Sequence, residues 1–218
     1  MDARPIEDLR LIKLIEFNMD SKKKHKKLTY LSIEKLLLLI EKNERSKFIN
    51  LFKDNKEIFQ ESRGSTNNHQ AWIGGYLNHI EETMNVALKL YDCLNILRPL
   101  PFSKSDVLIV IFSHDLEKPW KYIKSVDGSF KHKSYFKIKG SHHQFRIQKL
   151  KEYQITLTTP QENAVKYIEG ELDDYTNKKR VMGSLAAFCH TCDIVSARLW
   201  FNHPLKDDDP WEGSCRAF

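Results

Sequence analysis

The sequence predicts an all-α fold with one small β-hairpin insertion. Apolar residues recur at intervals of three and four residues along most of the chain, as at Ile80, Met84 and Ala87, and this spacing is typical of helices. An Asp-Gly pair at 127–128 stands between two alternating segments, which indicates a hairpin turn. Hydrophobic residues make up 41% of the 218 residues, so the chain can bury a substantial core.

Three helices are predicted before residue 62. They cover "PIEDLRLIKLIEF" (5–17), "LTYLSIEKLLLLIEK" (28–42) and "RSKFINLFKDNKEIF" (45–59). A stretch rich in Gly, Ser, Thr and Asn, "ESRGSTNNHQ", follows and predicts a loop. We therefore divide the chain into an N-terminal helical extension (1–62), expected to be a cap or a partner surface, and a second domain (63–218).

The second domain is expected to contain the remaining helices and the hairpin. The apolar run "VLIVIF" ends in "SHDLEK", and Pro119 is expected to end that helix. Further helices are predicted in three segments near the C-terminus: "SHHQFRIQKLKEY", "TPQENAVKYIEGEL" and "KRVMGSLAAFCHTCDIVSARLWF".

Charge and composition restrict the partners and the compartment. The net charge of +6 suits an anionic ligand. Five lysines within 21–27, and a lysine-rich and aromatic hairpin, would suit either solvated surfaces or nucleic acid. No apolar run reaches the roughly 18–20 residues of a membrane span, so no membrane partner is expected. Four unevenly spaced cysteines and an acidic N-terminus predict a cytoplasmic protein.

One group of side chains suggests a metal site. His114 and Asp115 stand together at the end of the apolar run, His79 lies on an earlier helix and Asp193 on a later one. Adjacent residues point about 100° apart on a helix, so His114 and Asp115 reach a common ion only near a helix end. Two imidazoles and two carboxylates suit Mn²⁺, Fe²⁺, Co²⁺, Zn²⁺ or Mg²⁺.

Three segments in this order resemble the signatures of the HD superfamily of metal-dependent phosphohydrolases. They are "GGYLNHIEETMNVA", "VLIVIFSHDLEKPWKY" and "LAAFCHTCDIVSAR". The residues that match the family pattern are Gly74, Gly75, His79, His114, Asp115, Lys118, His190, Asp193, Ser196 and Ala197. The resemblance covers roughly residues 70–200 and leaves the N-terminal helices unexplained.

The resemblance implies an HD-domain helical bundle that hydrolyses a phosphoester or phosphoanhydride through a metal-activated water. Metal ligation by His79, His114, Asp115 and Asp193 would follow. Lys118, one turn after His114, would steady the phosphate charge.

Two further sets of residues belong to this expectation. Glu117 would position water, and the aromatic residues Trp120 and Tyr122 would border the substrate. Many enzymes of the family hold two metals with extra histidines, and this chain offers four candidates for a second ion: His142, His143, Glu169 and Glu171. Glutamates in place of a histidine depart from the pattern, so one ion is favoured over two.

The expected function is hydrolysis of a nucleotide, by a nucleotidase or a deoxynucleoside triphosphate hydrolase. The alternatives are a phosphodiesterase for cyclic or oligomeric nucleotides, and a nucleic-acid-binding or partner-binding protein that keeps an HD scaffold without catalysis. A regulatory subunit that uses residues 1–62 as its interaction surface is a third class, and an oligomer is compatible with any of these readings.

Overall fold

The computed structural model describes residues 29–124, 130–138 and 140–203. The helix predicted at 5–17 and the lysine run 21–27 lie outside these ranges. The described residues are mainly helical, as predicted.

The helices run in chain order. They are α1 (Ile33–Leu37), α2 (Lys42–Asp54), α3 (Lys56–Glu61), α4 (Gly75–Leu97), α5 (Lys104–Ser113), α6 (Lys118–Lys121), α7 (Ser141–Glu152), α8 (Thr159–Tyr167) and α9 (Ser184–Ile194). Short 3₁₀ turns span Ser134–Lys137 and Leu172–Asp174, and a π-helical turn spans Val195–Leu199.

Helix α5 lies at the centre of the bundle, in contact with α4, α8 and α9. Its residues from Val107 to Ser113 are all buried, which explains the unbroken apolar run. The helix begins with a capping box: Ser103 accepts the amide of Asp106 at 3.1 Å, and the Asp106 carboxylate accepts the Ser103 amide at 2.8 Å. A rigid, fully buried helix therefore ends directly before His114.

The N-terminal helices differ from the prediction. The continuous helix expected at 28–42 is wrong, because α1 ends at Leu37 and α2 begins at Lys42. The amide of Glu41 donates to the hydroxyl of Ser105 at 3.0 Å instead of continuing a helical ladder. A contact 64 residues away in sequence thus interrupts a segment whose local pattern is helical throughout.

Residues on both sides of position 62 share one hydrophobic core. The Phe59 ring on α3 lies 5.3 Å from Tyr76 on α4, 6.5 Å from Phe112 on α5 and 5.8 Å from Trp120 on α6, measured between ring centroids. Contacts of this kind couple the described part of the extension to the second domain, and the boundary at 62 stays a prediction.

Two short strands occur where the hairpin was predicted. Strands β1 (Tyr122–Lys124) and β2 (Phe130–His132) pair antiparallel, with Tyr122 opposite His132. The turn at 125–129 and the side chains of 123–132 lie outside the description, so the basic hairpin surface stays a prediction. None of the helices described here combines the length and the apolar character that crossing a bilayer requires.

Glu81 on α4 predicts a pH dependence of stability. Its carboxylate accepts the amide of Ile33 at 2.7 Å and so caps α1, while burial raises its pKa from 4.5 to about 7. The fold therefore favours the protonated acid, so stability is fully present below pH 4.5 and falls as the pH rises to 7. For this partly exposed side chain the loss is about 2 kcal/mol.

The Glu81→Gln variant should lack this loss, because its amide oxygen still accepts the Ile33 amide and carries no charge. Urea unfolding at pH 5 and pH 8 measures this loss of stability. The free energy of unfolding of the variant should exceed that of the wild type at pH 8 only. Exposed Glu57→Gln is the matched control. An identical pH dependence in Glu81→Gln and wild type would refute the assignment.

Candidate metal centre

Two glycines set the start of α4 and hence the position of His79. Gly74 has φ of +82°, a left-handed conformation that glycine adopts without strain. A Cβ on Gly75 would lie 1.8 Å from the carbonyl oxygen of Gln70, so any other residue would push the 61–70 loop off the helix. His79 then lies in the second turn of α4 and is fully buried.

Helix α5 ends earlier than predicted, at Ser113 rather than at Lys118. His114 is its C-cap residue, and the Ser113 hydroxyl donates to the carbonyl of Ile109 at 2.7 Å. The amide of Lys118 then closes a turn onto the carbonyl of Asp115, and Pro119 lies in the first turn of α6 instead of ending α5. The turn after α5 is what allows His114 and Asp115 to face the same point.

The four predicted ligands converge. The Nε2 atoms of His79 and His114 lie 3.3 Å apart, and Asp193 Oδ1 lies 3.1 Å and 3.5 Å from them. Asp115 Oδ2 lies 3.5 Å from His79 Nε2 and 3.2 Å from His114 Nε2. Donor atoms about 2.1 Å from one shared ion are about 3.0 to 3.4 Å apart in octahedral or tetrahedral geometry, so these separations fit a single metal.

Hydrogen bonds to the other ring nitrogens orient both imidazoles. His114 Nδ1 donates to the carbonyl of Ile111 at 2.6 Å, which leaves Nε2 as the ring nitrogen that faces the centre. Ser196 donates its hydroxyl to Glu82 at 3.0 Å and so accepts from His79 Nδ1 at 3.1 Å. Partners of this kind fix the tautomer of metal-bound histidines.

The electrostatics of the cluster call for a cation. Burial lowers the pKa of His79. Burial also acts to lower the pKa of His114, but Asp115 and Asp193 outweigh it and raise that pKa to about 10. Both carboxyl pKa values lie below their usual range despite burial, Asp115 mainly because of His114 and Lys118 and Asp193 because of the two histidines. Two carboxylates that stay charged beside two imidazole nitrogens suit a divalent ion, which would displace the proton of His114 on binding.

Lys118 lies at the edge of the cluster. Its ammonium pairs with Asp115 Oδ2, and although burial opposes it, this carboxylate raises the pKa of Lys118, so the side chain stays charged. Lys118 also lines an open cleft of about 520 Å³. The other residues of the cleft wall are Ile58, Glu61, Ser62, Arg63, Ile73, Pro119 and Tyr122.

Trp120 and Tyr122, both predicted to border the substrate, lie in different surroundings. Tyr122 belongs to the cleft wall with Lys118. Trp120 packs on the rings of Phe59 and Phe145, with the ammonium of Lys149 4.7 Å from its ring centroid, and is not part of that wall. A contact between either residue and a substrate stays a prediction.

Glu117 and Glu169 are held by a buried arginine. Arg146 Nε and Nη2 donate to the two oxygens of Glu117 at 2.6 Å and 3.0 Å, and Nη2 also donates to Glu169 at 3.0 Å. Both oxygens of Glu117 are therefore engaged, which leaves them poorly suited to positioning a water.

The remaining candidates for a second ion do not join the cluster. His142 Nε2 bonds the carbonyl of Phe136 at 3.0 Å, and its Nδ1 lies 3.6 Å from Glu117. Glu171 accepts the amide of Met182 at 3.1 Å, and burial lowers the pKa of His143. Within the described ranges, the group of ligand atoms close enough together for an ion comes from His79, His114 and Asp193. Asp115 joins this group through its contacts with both histidines.

Several residues that support the candidate site were not predicted from the sequence. Ser196 was recognised as part of a motif but was given no role, whereas Gln70, Glu82 and Arg146 were not singled out. Gln70 donates to Glu82 at 3.2 Å and completes the chain of bonds behind His79. Its position four residues before Gly74 was the one sequence signal that could have indicated it.

Comparisons with known proteins give one limited similarity. No protein-family model matches the sequence, and no solved structure matches it. The chain is 29% identical over 79 residues to dihydroneopterin 2′,3′-cyclic phosphate phosphodiesterase of Methanocaldococcus jannaschii. The match covers 36% of this chain and 32% of the relative, so it spans about a third of the relative's length. This match therefore shows similarity to a phosphodiesterase over one segment of the chain.

The role of Ser196 is testable through metal affinity. Ser196→Ala removes the acceptor that fixes His79, so the dissociation constant for Mn²⁺ should rise by about 10- to 100-fold with the stoichiometry unchanged. Isothermal titration calorimetry measures both quantities. Ser184→Ala, at the exposed start of α9, is the control and should bind as wild type. An affinity within twofold of wild type in Ser196→Ala would contradict the role.

Proposed function

We propose that this protein is a metal-dependent hydrolase of small phosphoesters, with a phosphodiester as the first candidate substrate. The observation that carries the proposal is the convergence of donor atoms from His79, His114, Asp115 and Asp193 beside a lysine that opens onto a cleft. Similarity to a phosphodiesterase supports the same class of reaction.

His79, His114, Asp115 and Asp193 would hold one divalent cation. Such an ion supplies two things when bound: a more acidic water near neutral pH, and neutralisation of charge on the phosphoryl oxygens. The identity of the ion stays open among Mn²⁺, Fe²⁺, Co²⁺, Zn²⁺ and Mg²⁺, because mixed N/O donors suit all of them.

Lys118 would bind the phosphate. Its ammonium is anchored by Asp115 Oδ2 and lies in the cleft wall, so it is fixed in place before a substrate arrives. A positioned charge that meets negative charge developing in the transition state accelerates hydrolysis without reorganising. Asp115 thus has two tasks, as a metal ligand and as the anchor of Lys118.

Glu117 is proposed as a positioning residue rather than as a general base. Its bidentate pair with Arg146 stabilises the turn between α5 and α6, which carries both Asp115 and Lys118. This role replaces the water-positioning role expected from the sequence.

The cleft favours a small substrate with one flat, apolar part. Ile58, Ile73, Pro119 and Tyr122 offer aliphatic and aromatic surface, and the volume of about 520 Å³ is in the range of small-molecule sites. The relative's name describes a cyclic phosphodiester joined to a pterin-like heterocycle. We therefore place a cyclic phosphodiester of a heterocyclic compound first.

A nucleotidase or deoxynucleoside triphosphate hydrolase is the second candidate. Lys118 and Arg63 both line the cleft, and these two positively charged side chains suit the higher charge of a terminal phosphate. The comparison reverses the order that the sequence alone suggested, in which nucleotide hydrolysis came first.

A binding or regulatory role without catalysis depends on surfaces outside the described residues, the lysine run 21–27 and the hairpin side chains. In that case Asp115→Ala would leave nucleic-acid binding intact, and that binding would weaken steeply with salt. Retained, salt-sensitive binding in a protein without turnover would favour this alternative.

A hydrolysis panel in Mn²⁺ tests the proposal. It should contain 2′,3′-cyclic and 3′,5′-cyclic nucleotides, dihydroneopterin 2′,3′-cyclic phosphate, 5′-mononucleotides and deoxynucleoside triphosphates. We expect kcat/KM for the best cyclic diester to exceed that for any monoester or triphosphate by at least about tenfold. Asp193→Asn should abolish turnover, whereas exposed Asp54→Asn should not. The opposite order of substrates would favour the nucleotidase, and no turnover at all would overturn the proposal.

Replacing Lys118 tests its role separately from metal binding. Lys118→Met should lower kcat/KM by about 10²- to 10³-fold, because it removes a fixed charge that acts on the transition state. Metal stoichiometry should remain that of wild type, since Asp115 keeps both oxygens. Lys104→Met, which removes an exposed ion pair with Asp92, is the control. A decrease below threefold, or loss of the metal, would contradict the assigned role.

A further inference from the structure

We propose that the guanidinium of Arg146 is a built-in cation in the place where a second metal ion would otherwise bind, and that it keeps the centre mononuclear. This inference rests on the proposed function, because it presupposes that the first ion binds at the histidines. It goes beyond that function by assigning the metal count to one residue of this chain.

Arg146 is buried, with 2% of its surface exposed, and its polar contacts are to groups that attract a cation. Two bonds go to Glu117 and one to Glu169, and Nη1 donates to the carbonyl of Val165 at 3.4 Å. Fixing a planar guanidinium between two carboxylates is the geometry that arginine, and not lysine, provides.

The guanidinium also faces the metal centre. Its Nη2 atom lies 3.9 Å from Asp115 Oδ1, the carboxylate oxygen that does not face the histidines. That oxygen is buried without a hydrogen-bond partner. In two-metal sites the ions are about 3.5–4 Å apart, and the free oxygen of a ligating carboxylate is well placed to bridge them. Here Arg146 is the positive group on that side of Asp115.

Two of the four residues that the sequence nominated for a second ion lie near this arginine. Glu169 is its ion-pair partner, and His142 lies 3.6 Å from the Glu117 carboxylate that Arg146 holds. The carboxylates of a second site are therefore present, but their charge is already neutralised by a side chain. Arginine keeps its proton in proteins, so the positive charge at this position is permanent.

The charges of the proposed ligands and of the Lys118 and Arg146 ion pairs balance with one divalent ion when both histidines are neutral; Glu82, behind His79, is not part of this set. Asp115, Glu117, Glu169 and Asp193 contribute four negative charges, and Lys118 and Arg146 contribute two positive ones. The remainder of minus two equals one divalent cation. Without Arg146 the remainder would be minus three, and the Glu117 and Glu169 carboxylates would be free to bind a second ion.

Counting bound Mn²⁺ tests the inference without any need for turnover. Wild type, Arg146→Gln and Arg146→Lys would be titrated by calorimetry up to millimolar Mn²⁺, with electron paramagnetic resonance to detect coupled pairs of ions. We expect one ion in wild type and in Arg146→Lys, which keeps the charge. Arg146→Gln should take up a second, weaker ion and show a coupled signal.

Two ions in wild type, or one ion in a folded Arg146→Gln, would overturn the inference while leaving the first metal site in place. No ion in wild type would instead overturn the proposed function, and with it this inference. Circular dichroism checks folding of each variant. Arg146→Met removes the same charge but keeps an aliphatic stem, and it repeats the test if Arg146→Gln does not fold.

Discussion

The structure depends on two carboxylates held beside two imidazoles in a buried place. Asp115 and Asp193 lie within 3.1–3.5 Å of the His79 and His114 nitrogens, where an unpaired charge would cost several kcal/mol. Nearby positive groups compensate these carboxylates: Lys118 pairs with Asp115, and the raised pKa of His114 keeps that ring protonated. The same positive groups hold both carboxyl pKa values below their usual range. A divalent cation that replaces the His114 proton would provide the same compensation.

Other features of the fold can be understood as means of holding this cluster still. The apolar helix α5 ends at Ser113, directly before the candidate ligands His114 and Asp115. The turn after it places Asp115 beside the two histidines and Lys118 in the wall of the cleft. Ser196, on a π-helical turn after α9, fixes His79 from behind, and π-helical turns are frequent at functional sites. Arg146 ties the same turn to α7 and α8. In the proposed function, this arrangement separates two tasks, binding the ion and presenting a charge to the substrate.

The sequence predicted the helical class and brought out all four converging residues, because a His-Asp pair at the end of an apolar run has few purely structural explanations. It misplaced the helix at 28–42, since the interruption depends on Ser105, and it misplaced the end of α5. The ion pairs of Arg146 could not be predicted from the sequence, because its partners lie 29 and 23 residues away and no local pattern indicates such a contact. The packing of Trp120 on Phe59 and Phe145 could not be predicted either, because an aromatic residue beside a motif has the same sequence signature whether it lines a cleft or packs in the core.

Anomalous diffraction from crystals soaked in Mn²⁺ would test the central claim most directly, because it locates the ion independently of activity. The account predicts a single peak within about 2.0–2.3 Å of His79 Nε2, His114 Nε2, Asp115 Oδ2 and Asp193 Oδ1. A well-ordered crystal with no peak there, or with its peak between Glu117 and Glu169, would contradict it.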